Sequence, residues 1–107
     1  MSNEKEHHEK DEMEVIDIEE YAKEGKEVPH GHSYRIRIDK VQYVVNASEM
    51  TGREMLTLAG KTPVEQYRIY QKLKGGQSVE ISYDQKADFT KPGIERFITL
   101  ALEQTEG

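Results

Sequence analysis

Gly107 closes a short polar tail, Ala101-Leu-Glu-Gln-Thr-Glu-Gly107, that follows the strand-like run Arg96-Phe-Ile-Thr-Leu100. A glycine carboxylate has no side chain beside it, so a nucleophile reaches its carbonyl unhindered. That suits adenylation with ATP, followed by passage of the acyl group to a thiol. Thr105 and Glu106 precede Gly107 and are the candidate recognition residues of the tail.

The rest of the chain offers no reactive set of its own. It has no cysteine, which removes thiol nucleophiles, disulfides and Cys-based zinc sites together. The four histidines, His7, His8, His30 and His32, form close pairs of a kind that can chelate transition metals, but no further ligand spacing supports a site, and no metal is expected. Ser78 and Ser82 have no histidine in the body to activate them. Gly60-Lys61-Thr62 has the ending of a phosphate-binding loop. Met55, however, stands where the first glycine is required, and Pro63 blocks the helix that must follow. The chain is therefore read as not an enzyme, with no catalytic residue and no bound cofactor. ATP would be used by a partner enzyme.

Charge is unevenly spread. Residues 1–33 hold eleven Asp/Glu against four Lys, and residues 34–107 hold ten Asp/Glu against eleven Lys/Arg. The acidic excess belongs to the N-terminal segment, and neither part has the basic balance that nucleic-acid binding needs. No apolar run approaches the roughly 18–20 residues of a membrane span. The N-terminus lacks the apolar core of a signal peptide. No nucleic-acid or membrane partner is expected, and the cytoplasm is the expected location.

Three regions follow: an acidic, largely disordered segment over 1–33, a folded domain over 34–100 and a flexible tail over 101–107. Val15, Ile18 and Ala22 have helical spacing, whereas Ile16 and Ile18 alternate like a strand, so periodicity does not decide there. Residues 23–32 read as linker, broken by Gly25, Pro29 and Gly31. Tyr34, Ile36 and Ile38 alternate with arginines as a half-buried strand. Asp39-Lys40 is a turn, and Val41–Val45 completes a hairpin. Thr51 and Glu54 have capping-box spacing, and Gly60 suits the left-handed position after a helix of about two turns. Tyr67–Leu73, Val79–Tyr83 and Phe97–Leu100 read as strands, with an irregular stretch over 84–93 anchored by Phe89. The order β-β-α-β-β-β gives an α+β, β-grasp architecture: a mixed sheet with one packed helix, its first and last strands parallel in the middle.

Two stretches are candidates for binding. Val15-Ile-Asp-Ile-Glu-Glu20 resembles the SUMO-interacting motif, in which a β-branched stretch beside acids adds as a strand to a ubiquitin-like sheet. Val15, Ile16, Asp17 and Ile18 could dock on the chain's own sheet, on another copy or on a partner enzyme. Tyr70 falls on the face opposite Tyr67 and Ile69 and is a candidate aromatic for a recognition patch.

The body resembles the bacterial multiubiquitin family of ubiquitin-like domains. The match rests on Tyr34-Arg-Ile-Arg-Ile-Asp-Lys-Val-Gln-Tyr-Val-Val45, Thr51-Gly-Arg-Glu-Met-Leu-Thr-Leu58, Ala59-Gly-Lys-Thr-Pro63, Lys72-Leu-Lys-Gly-Gly76 and Pro92-Gly-Ile-Glu-Arg-Phe97. The resemblance implies a protein modifier encoded beside an E1-like activating enzyme, an E2-like conjugating enzyme and a JAB-type metallopeptidase, in systems associated with antiphage defence. Gly107 is the residue it marks for conjugation to a target protein or other acceptor. The chain departs from the pattern in having one such domain where some relatives carry tandem copies. It also has Glu106 where ubiquitin has the first glycine of Gly-Gly. A sulfur carrier and a non-covalent adaptor are the alternatives.

Overall fold

The computed structural model describes residues 15–102. Val15–Asp17 forms a short strand, β1, and the chain passes directly into a helix, α1, over Ile18–Lys23. Asp17 makes the change: its backbone is extended and its carboxylate accepts from the Glu19 amide at 3.2 Å, an N-cap. The two competing periods of this stretch are thus both present, one after the other. The flexible segment expected over 1–33 is corrected for its second half. Ile16, Ile18, Ala22 and Val28 are buried, because these apolar side chains find the core of the domain that follows. Residues 1–14 lie outside the described residues.

β2 (Ser33–Ile38) alternates as its sequence demands, with Tyr34, Ile36 and Ile38 buried and Arg35 and Arg37 on the other face. The turn at Asp39-Lys40 leads into β3 (Val41–Val45), antiparallel to β2 with Ile38 opposite Val41. Then follow β4 (Glu49–Thr51), α2 (Gly52–Leu58), a 3-10 turn (Val64–Gln66), β5 (Tyr67–Leu73), β6 (Ser78–Ile81), β7 (Lys86–Asp88) and β8 (Ile94–Ala101). The main sheet runs β3-β2-β8-β5-β6, with β1 laid parallel along the first half of β2. This is the mixed sheet with one main helix that the strand order implies. The stretch over 84–93 is less irregular than its composition suggests. β7 pairs antiparallel with β4, Met50 opposite Ala87, and Phe89 beyond it is fully buried.

β2 and β8 are the parallel central strands, yet they pair at one position only, Ile38 with Phe97. Toward its start, β2 gives that same edge to β1, Ile16 opposite Tyr34, and α1 packs against both β2 and β8. The junction is fixed at Asp39. Its amide donates to the Phe97 carbonyl at 2.8 Å, and its carboxylate accepts from the Thr99 amide at 2.9 Å and the Thr99 hydroxyl at 2.7 Å.

α2 begins with the capping box legible in Thr51-Gly-Arg-Glu54. The Thr51 hydroxyl accepts from the Glu54 amide at 3.1 Å, and the Glu54 carboxylate accepts from the Thr51 amide at 2.9 Å. It ends at Gly60 (φ +76°), where the Gly60 amide donates to the Thr57 carbonyl and the Lys61 amide to the Leu56 carbonyl, a Schellman closure. Met55 and Leu56 enter a core built on Tyr34, Phe89 and Phe97, with Phe89 edge-on to Phe97 at 6.0 Å between ring centres.

The helix start is also held by close approach of backbone. A Cβ on Gly52 would stand 2.5 Å from the Ser82 carbonyl oxygen, while the Gly52 amide donates to the Gln85 carbonyl. Gly52→Ala should therefore destabilise the fold by about 1–3 kcal/mol, the range for forced overpacking. Urea unfolding measures this, and an unchanged midpoint would contradict the contact.

Burial of residues 15–28 makes a second prediction. A chain starting at Val15 should keep a cooperative urea transition. One starting at Tyr34 loses three buried branched aliphatics, each contributing about 1.5–3 kcal/mol. That sum is comparable to the whole stability of a small domain, about 5–15 kcal/mol. Circular dichroism should show its transition lost or strongly shifted; equal midpoints for the two chains would refute the packing role.

The loop after β7 carries a pH-sensitive contact. The Thr90 hydroxyl and amide donate to the Asp88 carboxylate at 2.6 and 2.9 Å, which holds that carboxyl below its ordinary value, with smaller help from Lys91 and His30. A depressed folded value means the contribution is present above the unfolded pKa of about 3.9 and is lost as pH falls through the folded one. Asp88→Asn should lower the melting temperature slightly at neutral pH, and the gap from wild type should close in acid. A gap that persists unchanged below pH of about 2 would exclude this origin.

Candidate partner-docking face

The inward-pointing Phe97 fixes the other face of β8: Arg96, Ile98 and Leu100 point away from the helix. Register places their neighbours. Tyr70 of β5 lies opposite Ile98, Arg68 opposite Leu100 and Lys72 opposite Arg96. On the far side of β5, Tyr70 lies opposite Glu80 of β6, and Arg68 pairs with Glu80 at 3.2 Å. The face of the sheet away from α2 thus carries an apolar strip, Tyr70, Ile98 and Leu100, bordered by cations. Leu100 is 53% exposed. Across the sheet on the same face Val44, opposite Arg35, is 52% exposed.

Tyr70 stands where the alternation of β5 puts it, half-buried beside Ile98. Ile98, Leu100, Lys72 and Arg96 were not singled out from the sequence. The alternation about Phe97 shows that Ile98 and Leu100 share a face, but only the β5–β8 register brings them beside Tyr70.

β8 runs directly into the tail. The Leu102 amide donates to the Gln66 carbonyl at 2.8 Å, at the end of the described residues. Beside this exit, on the helix side of the sheet, an apolar groove is lined by Val41, Tyr43, Tyr67 and Ala101, with the Lys61 ammonium 5.8 Å from the Tyr67 ring centre. Thr105, Glu106 and Gly107 lie outside the described residues.

The Val15–Ile18 stretch takes the first of its three options and docks on its own sheet. Ile16 and Ile18 are buried, and Val15 and Asp17 are half-buried. The acids beside it meet the arginines of β2: Asp17 reaches Arg35 at 3.8 Å and Glu19 reaches Arg37 at 2.6 Å. In this arrangement the apolar side chains of the stretch are spent on the chain's own core and are not presented to a partner. Among the described residues no group of three His, Cys, Asp or Glu side chains could hold a metal ion, and no helix is long and apolar enough to cross a membrane.

The multiubiquitin family model matches residues 34–101, from the second residue of β2 to the last residue of β8. No curated protein and no solved structure matches the chain significantly. The match spans well over half of the 107 residues and coincides with the ubiquitin-like sheet and helix just described. This chain therefore belongs to the multiubiquitin family.

Proposed function

We propose that the chain is a conjugatable ubiquitin-like protein modifier, activated at Gly107 and serving an antiphage system. The observation that carries this reading is the coupling of face and tail: in the family's ubiquitin-like sheet, β8 contributes Ile98 and the exposed Leu100 to the apolar strip and also leads into the glycine-ended tail. An enzyme that grips Tyr70, Ile98 and Leu100 holds the strand that leads into the tail.

In this reading an E1-like enzyme binds ATP, and the Gly107 carboxylate attacks the α-phosphate with loss of pyrophosphate. A cysteine thiolate of that enzyme then displaces AMP to give a thioester. An E2-like cysteine takes the acyl group by exchange of thiols, and an amine or hydroxyl of the target finally displaces that thiol. A JAB-type peptidase reverses the last bond by hydrolysis. The modifier contributes docking and an unhindered carbonyl; every catalytic group and the ATP belong to the partners, in a cytoplasmic setting.

A non-covalent adaptor is the second reading. It is favoured by the open sheet face, which could bind a partner with Gly107 incidental. One experiment separates the two. The chain, ATP and the E1-like enzyme encoded beside it are combined, and mass spectrometry follows an adenylate and a reducible thioester. Deleting Gly107 should abolish both, and Leu100→Glu should slow thioester formation by about tenfold or more, the loss of one well-placed contact at about 1.4 kcal/mol. Full thioester formation without Gly107 would overturn conjugation. Partner binding undiminished by the deletion, with no adenylate from the intact chain, would establish the adaptor.

A further inference from the structure

β3 and β6 stand at the two ends of the main sheet, and each turns outward a row of backbone groups that no strand among the described residues takes. Such edges pair readily with another chain unless charge, proline or a bulge guards them. β6 carries Glu80 in mid-strand. β3 has no guard of this kind. Val41-Gln-Tyr-Val-Val45 holds no charge and no proline, the run stays uncharged to Ser48, and its register with β2 is unbroken over five pairs. Two of the four exposed large apolar side chains among the described residues, Val41 and Val44, lie on it.

The hairpin fixes the phase of this edge. A two-residue turn makes Ile38 and Val41 a hydrogen-bonded pair, so Val41, Tyr43 and Val45 direct their backbone groups to β2. Gln42 and Val44 direct theirs outward. Two copies of such an edge fit each other about a two-fold axis at Tyr43. Gln42 then meets Val44 of the second copy as a hydrogen-bonded pair, twice over by symmetry. Tyr43 meets its own counterpart and Val41 meets Val45 at the closer, non-hydrogen-bonded spacing. Lys40 falls opposite Asn46, so no like charges face each other. The acids that share a pocket with Gln42 are largely engaged within the chain: Asp17 with Arg35, Glu19 with Arg37 and Lys23, and Glu24 with Lys26.

We propose that β3 pairs antiparallel with β3 of a second copy of this chain, joining two sheets into one. Directly opposed residues share a face, so the pair presents both Tyr70–Ile98–Leu100 strips on the same side. The two copies of β8 then lie five strand spacings apart, about 24 Å, and run in opposite directions. A single five-residue strand pair belongs with the smallest interfaces, below roughly 1,200 Å², so the association is weak and depends on concentration. It uses neither Gly107 nor an activating enzyme and stands or falls apart from conjugation.

Sedimentation equilibrium of the full chain tests it. The mass should rise from 12.4 kDa toward twice that value as concentration approaches about 1 mM. Gln42 and Val44 are exposed, so changing them should spare the fold. Gln42→Lys/Val44→Lys sets like charges opposite each other twice and should weaken association tenfold or more. Gln42→Glu/Val44→Glu should do the same. Mixing the two variants should restore a dimer, because the charges then oppose in sign. Unmoved amide NMR signals of the buried Ile36 and Phe97 report that each variant is folded. A wild-type mass that stays at 12.4 kDa throughout would overturn the proposal. So would association that both variants leave intact, or a mixture that fails to associate.

Discussion

Ile38 and Phe97 mark the single position where the two central strands meet, and the Asp39 carboxylate holds them there by accepting twice from Thr99. In a β-grasp sheet the first and last strands close the fold, so this is where distant parts of the chain must find each other. Asp39 suits the task because its short acidic side chain tolerates the left-handed backbone (φ +56°) that the tight turn imposes. One residue thereby shapes the hairpin and locks β8. Away from that point β2 and β8 no longer pair, and the space is taken by β1 and α1.

The filling segment is held by more than its isoleucines. Glu19 is 8% exposed and sits 2.6 Å from Arg37, with Lys23 reaching it from one turn along α1. A nearly buried ion pair gains its Coulomb energy only against a large desolvation cost. The Arg37 guanidinium keeps one buried nitrogen, Nε, without a partner, so compensation is incomplete. The pair's role is therefore better described as orientation. It aligns α1 against β2, where apolar contacts alone would permit sliding.

What could be read from the sequence was local. The Asp39-Lys40 hairpin, the Thr51–Glu54 box and the Gly60 cap each depend on residues a few positions apart, and each is present. Tyr70 was placed because strand alternation is local too. Elsewhere the deciding partners were remote. β7 is three residues long and exists because β4 lies beside it, 37 positions earlier in the pairing of Met50 with Ala87. Val15–Lys23 defeats period analysis because it changes from strand to helix at Asp17. Its order also comes from an edge of β2 whose vacancy no pattern in the sequence announces. The candidate face was half legible: Ile98 and Leu100 announce themselves by alternating with Phe97, but their position beside Tyr70, Lys72 and Arg68 follows only from register.

Because β8 is both the central strand and the lead into the tail, the order of synthesis matters. Of the strands in the main sheet β8 is made after the others, yet β2 and β5 have no common neighbour without it. Phe97 must find Ile38 across 59 positions of chain, a closure of the long-range kind that slows folding. A chain cut short before β8 lacks the finished sheet and the tail together. The strip that Tyr70, Ile98 and Leu100 form across β5 and β8 therefore exists only on a completed sheet.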